Sequence, residues 1–161
     1  MTVTDVHKDP AQCTMTITAE FDASVEQVWQ MWADPRLLEQ WWGPPTYPAK
    51  VGEHDLRPGG RVTYVMTGPE GDQHAGYWDV IAVDAPHSLE LRDGFADADG
   101  NERPDMPTNG TVVSISAADG RARMVIVSRF ASADDMAQLL EMGMEQGFTL
   151  ALGQVDALLV G

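Results

Sequence analysis

The sequence predicts an α+β protein in which a curved antiparallel sheet of about seven strands wraps around one long C-terminal helix, with two short helices after the first strand. Three observations predict it. Segments rich in strand formers follow one another with hairpin-length turns between them. Capped helical stretches interrupt them once, between residues 24 and 42. From Ala133 to about Val160 the apolar period becomes that of a helix.

The elements follow in order. Residues 1–10 read as a flexible N-terminal tail and residues 11–161 as a single domain. From Cys13 to Phe21, Met15, Ile17 and Ala19 share one face and Thr14, Thr16 and Thr18 the other, which is strand period. Ser24 and Gln27 have the spacing of a capping box, and Val25, Val28, Trp29 and Trp32 form a helical apolar stripe behind it. Asp34-Pro35 stops that helix and caps a second, with proline in the first turn. The second helix ends at Trp41-Trp42-Gly43-Pro44-Pro45. Adjacent helical positions lie about 100° apart, so the two indoles are not expected to point inward together. Either ring fits the rim of a pocket, where one side is apolar and the other wet, and either fits a core anchor at a helix end.

Strands are expected from Tyr47 to Leu56, Arg61 to Thr67, Gln73 to Val83 and Ser88 to Asp93, with turns at Arg57-Pro58-Gly59-Gly60 and Gly68-Pro69-Glu70-Gly71-Asp72. Both faces of the third of these are mixed in polarity, which predicts a bulge. Residues 94–109 read as an acidic loop. Thr111 to Ala117 and Ala122 to Phe130 pair across Asp119-Gly120, a tight-hairpin step. The final helix would be about 40 Å long. It contains Gly143, Gly147 and Gly153, each costing roughly 1 kcal/mol relative to alanine. Close packing against the sheet and room for a ligand both account for them.

Composition narrows the partners. The formal charge is −15, from 25 acidic and 10 basic residues, and such a surface repels phosphate backbones and anionic lipid. Nucleic-acid binding and membrane insertion are therefore not expected. Cys13 is the one cysteine, which excludes an intrachain disulfide, and the first residues lack an apolar signal core. A cytoplasmic protein is expected. Asn109-Gly110-Thr111 matches a glycosylation pattern and reads as chance in that setting. A homodimer is left open.

A curved sheet does not close fully on one helix about 10 Å across. Side chains fill the gap, or a cavity remains. The candidates to line it are Trp32, Trp41, Trp42, Tyr64, Met66, His74, Trp78, Met124, Met144, Gly147 and Phe148. Each also fits as plain core. The nine methionines favour an adaptable apolar surface.

The motifs Trp41-Trp42-Gly43-Pro44, Asp55-Leu56-Arg57-Pro58-Gly59-Gly60, Gly76-Tyr77-Trp78, Asp84-Ala85-Pro86-His87-Ser88-Leu89 and Gly147-Phe148 occur in this order. Their sequence resembles that of the START-related SRPBCC superfamily, and most closely the branch of activator of heat-shock protein 90 ATPase homologues. The resemblance spans about residues 14–160. It implies a helix-grip fold with an internal cavity. It also implies functions among binding of lipids, sterols or polyketides, cyclase or dehydratase activity, and chaperone-associated stress response. The chain departs from the branch in Phe148, where tryptophan is usual, in Ala85-Pro86 in place of paired prolines, and in a longer 94–109 loop. Chaperone activators carry a separate N-terminal domain, absent from these 161 residues, so chaperone work is the third expectation.

Binding of a small hydrophobic or aromatic molecule is the first expectation, without catalysis. A cyclase or dehydratase is the alternative, with His74 or Tyr64 as acid–base. His54 and Asp55 are strand neighbours and point to opposite faces, so they form no dyad. No nucleophile elbow, phosphate loop or zinc spacing occurs, so no metal or other cofactor is expected. Asp97-x-Asp99-x-Asn101 begins like a calcium loop, but Glu102 stands at the position that requires glycine.

Overall fold

In the computed structural model, which describes residues 3–159, one antiparallel sheet has the strand order β1-β2-β8-β7-β6-β5-β4-β3. β1 (Val3–Asp9) and β2 (Thr14–Phe21) form a hairpin at one edge. α1 (Val25–Ala33) and α2 (Pro35–Trp41) then carry the chain over to β3 (Ala49–His54) at the other edge. β4 (Arg61–Thr67), β5 (Gln73–Asp84), β6 (Ser88–Ala96), β7 (Asn109–Ala118) and β8 (Arg121–Phe130) return as a meander, and β8 closes beside β2.

Local chemistry sets these boundaries. The Ser24 Oγ accepts from the Gln27 N–H at 3.2 Å, and the Gln27 side chain accepts from the Ser24 N–H at 2.9 Å. Asp34 ends α1 and caps α2, its carboxylate accepting from the Arg36 N–H at 2.9 Å. Asp119 (φ 53°) and Gly120 (φ 78°) make the left-handed pair that a two-residue hairpin needs. The expected bulge in β5 falls between Val80 and Ala82, and it turns Ile81 to solvent.

The helix-grip α+β architecture is the one predicted, with three corrections. The sheet has eight strands, because the expected tail is largely β1, whose Val6 pairs with Ile17 and Asp9 with Thr14. Polar sequence is compatible with an edge strand, since backbone pairing holds it and one face meets water. Lys8 also pairs with Glu145. Met1 and Thr2 of that expected tail lie outside the described residues. The long helix is three shorter ones, α3 (Ala133–Glu141), α4 (Met144–Leu152) and α5 (Val155–Leu159). It breaks at Gly143, which takes φ 91°, and again at Gly153, the C-cap of α4. Val160, the expected end, lies outside the described residues. β6 runs on to Ala96, so the acidic loop begins later than expected.

The core is asymmetric. Met15, Ile17, Ala19 and Phe21 of β2, with Met124 and Ile126 of β8 and Val113 and Ile115 of β7, are buried. Val28 and Trp32 of α1, Leu152 of α4 and Val155 of α5 belong to the same buried cluster. The cluster also takes in Val62, Trp78, Val80, Leu89 and Leu91 of β4 to β6. A space is left beside it, over Tyr64 and Met66 of β4, Asp93 and Phe95 of β6 and Asn109 and Thr111 of β7.

Candidate functional site

A cavity of about 470 Å³ occupies that unfilled space. Its floor is the inner face of the strands: Tyr64 and Met66 of β4, His74 of β5, Leu91, Asp93 and Phe95 of β6, and Asn109 and Thr111 of β7. Trp32, Trp42, Pro44 and Tyr47 wall it from the helix pair and the loop after it. Leu139, Met142, Gly143, Met144, Gly147 and Phe148 cover it from α3 and α4. The break at Gly143 therefore borders the cavity. A Cβ built on Gly147 would meet nothing within 4 Å, so that glycine borders open space and close packing does not account for it.

The tryptophan pair divides its work. Trp41 is the last residue of α2 and is fully buried, its Nε1–H donating to the Met31 carbonyl at 2.8 Å. Trp42 continues the helical backbone by one residue and turns its ring into the cavity wall. It packs edge-on against Trp32, Trp41, Trp78, Tyr64 and Phe148, with centroids 4.8 to 5.9 Å apart. Trp41 is thus the core anchor and the half-buried Trp42 faces the cavity, so the two rings do not enter the core together, as helical geometry led one to expect. Gly43 sits against the backbone at Tyr47 and Ala49, where a side chain would clash. The Gln154 amide donates to the Gly43 carbonyl at 2.7 Å and the Trp41 carbonyl at 3.3 Å, tying the C-terminal segment to this loop.

Tyr64 and Asp93 form the polar centre. The Tyr64 hydroxyl donates to Asp93 Oδ1 at 3.0 Å. Tyr64 and Asp93 lie on strands separated by β5, and the phenol reaches across at Gly76, its partner in register. A Cβ at Gly76 would collide with that phenol. Burial pushes the Asp93 carboxyl up from the ordinary 3.8 to about 7, against the opposing hydrogen bonds from Tyr64 and the Gly94 backbone. Burial and the facing Asp93 together push the Tyr64 hydroxyl well above its ordinary value. Asp93 keeps some accessible surface, which faces the cavity whose wall it forms.

The Asn109 amide donates to Thr111 Oγ1 at 3.1 Å, and both residues are buried, so the Asn109-Gly110-Thr111 pattern faces inward. At the mouth, the Tyr47 hydroxyl donates to Asp72 at 2.6 Å, and His74 Nε2 stands 3.5 Å from the same carboxylate. The hydrogen bond from Tyr47 holds Asp72 below the usual carboxylate range.

Of the eleven residues expected to line a cavity, eight meet in it: Trp32, Trp42, Tyr64, Met66, His74, Met144, Gly147 and Phe148. Three lie behind its wall. Trp41 is packed against α1, Trp78 is covered by Trp42 and Trp32, and the Met124 sulfur accepts from the Trp32 Nε1–H at 3.2 Å. His74 and Tyr64 are not partners. His74 pairs in register with Met66, and its side chain is 66% exposed. Asp93, Asn109, Thr111 and Tyr47 escape the sequence reading. A signal for Asp93 does exist: Leu89, Leu91, Asp93 and Phe95 alternate, so a lone acid occupies an apolar face.

The chain is a helix-grip domain with an aromatic-walled cavity open at one side, a ligand-binding type of fold. It belongs to the activator of Hsp90 ATPase homolog 1-like protein family, whose pattern matches residues 22–160. A crystal structure of a protein from Mycobacterium smegmatis is similar, at 52% identity and TM-score 0.92, covering 99% of this chain and 98% of that one. A solution structure of a protein from Arthrobacter aurescens is 44% identical with TM-score 0.94, covering 98% and 92%. The AHSA1 protein from Silicibacter pomeroyi shares the fold at 24% identity and TM-score 0.71, covering 89% of this chain and 95% of that one. A comparison with curated proteins finds no match. Among the described residues, no helix is long and apolar enough to cross a membrane.

Proposed function

We propose that this protein binds a small apolar or aromatic molecule, lipid-like or polyketide-like, between the sheet and the C-terminal helices. The observation that carries the reading is the cavity of about 470 Å³ with its aromatic and methionine walls. A guest burying about 300 Å² of apolar surface there would gain about 7.5 kcal/mol before the cost of association. Thermal unfolding across a library of apolar and aromatic compounds tests this. A binder present at a hundred times its dissociation constant stabilises the fold by about 2.7 kcal/mol. Gly147→Phe, which puts a ring into the open space beside α4, is expected to abolish that shift. A library in which no chemotype raises the midpoint overturns the reading.

A second reading, a cyclase- or dehydratase-like enzyme, draws support from the Tyr64–Asp93 pair. A carboxyl poised near neutrality beside a phenol is a competent acid–base couple. Turnover that survives in both Tyr64→Phe and Asp93→Asn eliminates it. Association with a chaperone in the cytoplasm rests on the family's description alone, and a pull-down without stoichiometric chaperone argues against it.

A further inference from the structure

The polar groups of the cavity are unbalanced. Asp93 is the one carboxylate among the lining residues, and no lysine or arginine joins it there. Arg92, its chain neighbour, pairs on the other face of β6 with Asp79 and Glu102. Asp93 accepts from Tyr64 and from the Gly94 backbone, and two such bonds leave lone pairs of a carboxylate unfilled. The rings of Trp42, Tyr64 and Phe148 line the same cavity, and aromatic faces carry negative electrostatic potential. The net charge of −15 attracts cations to the protein and repels anions.

Each of these features opposes an anionic guest and favours a cationic one. We propose that the ligand is an organic cation, a primary or secondary amine on an apolar or aromatic body, whose ammonium sits on the Asp93 carboxylate beside the Tyr64 hydroxyl. The inference rests on the cavity-binding reading and specifies its ligand class. The ammonium supplies the charge that the wall lacks, the rings add cation–π attraction, and the apolar body fills the remaining volume. Binding requires ionised Asp93 and therefore strengthens as pH rises through the midpoint of that carboxyl. The other titratable groups on the wall are Tyr64 of β4, His74 of β5 and Tyr47 of the loop after α2; α3, α4 and β7 present none there. His74 lies at the mouth beside Asp72.

Phenylbutylamine, phenylbutanol and phenylbutyrate share one body and differ in charge, so calorimetric titration of the whole chain with all three is the test. At about pH 8 the amine is expected to bind roughly tenfold tighter than the alcohol, and the carboxylate weakest. The preference is expected to shrink at about pH 6, where Asp93 is mostly protonated, and to vanish in Asp93→Asn. An alcohol that binds as tightly as the amine to the unmodified protein overturns the cation inference and leaves the cavity reading standing. Binding of none of the three overturns both. An amine preference unchanged in Asp93→Asn, or unchanged between the two pH values, removes Asp93 from the role. The pH comparison needs no variant and decides the matter even where Asp93→Asn fails to fold.

Discussion

Gly76 lets Tyr64 reach Asp93, because any Cβ there occupies the space of the phenol. Gly76→Ala is expected to expel the ring, break the hydrogen bond and destabilise the fold by about 1–3 kcal/mol, read from denaturant midpoints. The Tyr64 bond opposes the effect of burial on Asp93, so the carboxyl of that variant is expected to titrate above the midpoint of about 7, as carboxyl NMR shifts would report. The same carboxyl sets a pH dependence of stability. Between about pH 4 and about pH 7 the folded protein holds a proton that the unfolded chain has released, so this contribution falls as pH rises. Asp93→Asn removes it. The stability of the variant relative to the unmodified protein is expected to grow by up to about 1.4 kcal/mol per pH unit through that window, measured by urea unfolding at a series of pH values. Asp93 was legible in principle as the acid in an alternating apolar register. Its role was not, since the partner Tyr64 belongs to a strand two positions away in the sheet, and a single strand's period carries no pairing across neighbours.

The C-terminal run shows what periodicity reports and what it omits. Met136, Leu140, Met144, Gly147, Ala151 and Val155 keep helical spacing throughout, so the apolar side of the run was readable. The breaks were not, because backbone angle leaves no mark on an apolar pattern beyond the presence of glycine. The glycines in it now separate by mechanism. Gly147 lies within α4 with open space beyond its Cα, and Gly147→Ala is expected to raise stability by about 1 kcal/mol through helix propensity. Gly143 sits at φ 91°, and Gly143→Ala is expected to lower stability by about 1 kcal/mol or more. Opposite signs from two identical substitutions four residues apart, in paired thermal melts, check the break directly. The caps at Ser24 and Asp34 were legible because each is a local contract between a side chain and the next turn.

Across the whole molecule, charge and fold class could be read from composition and element order, whereas the edge of the sheet could not. β1 is polar enough to pass for a tail, yet it covers the outer edge of β2 and holds α4 through Lys8 and Glu145. Deletion of residues 1–9 is expected to lower the unfolding midpoint and expose the β2 edge, seen as lost amide protection from Thr14 to Phe21; an unchanged midpoint would return the segment to the status of a tail. The uneven filling of the interior has a last consequence, in optics. Five of the six pairs among Trp32, Trp41, Trp42 and Trp78 have centroids between 4.8 and 5.9 Å apart, close enough for their ultraviolet transitions to mix. Trp32 and Trp42 of that quartet also border the empty space. Any occupant therefore perturbs a shared chromophore, and the near-ultraviolet dichroism of the unlabelled protein becomes a gauge of its own occupancy.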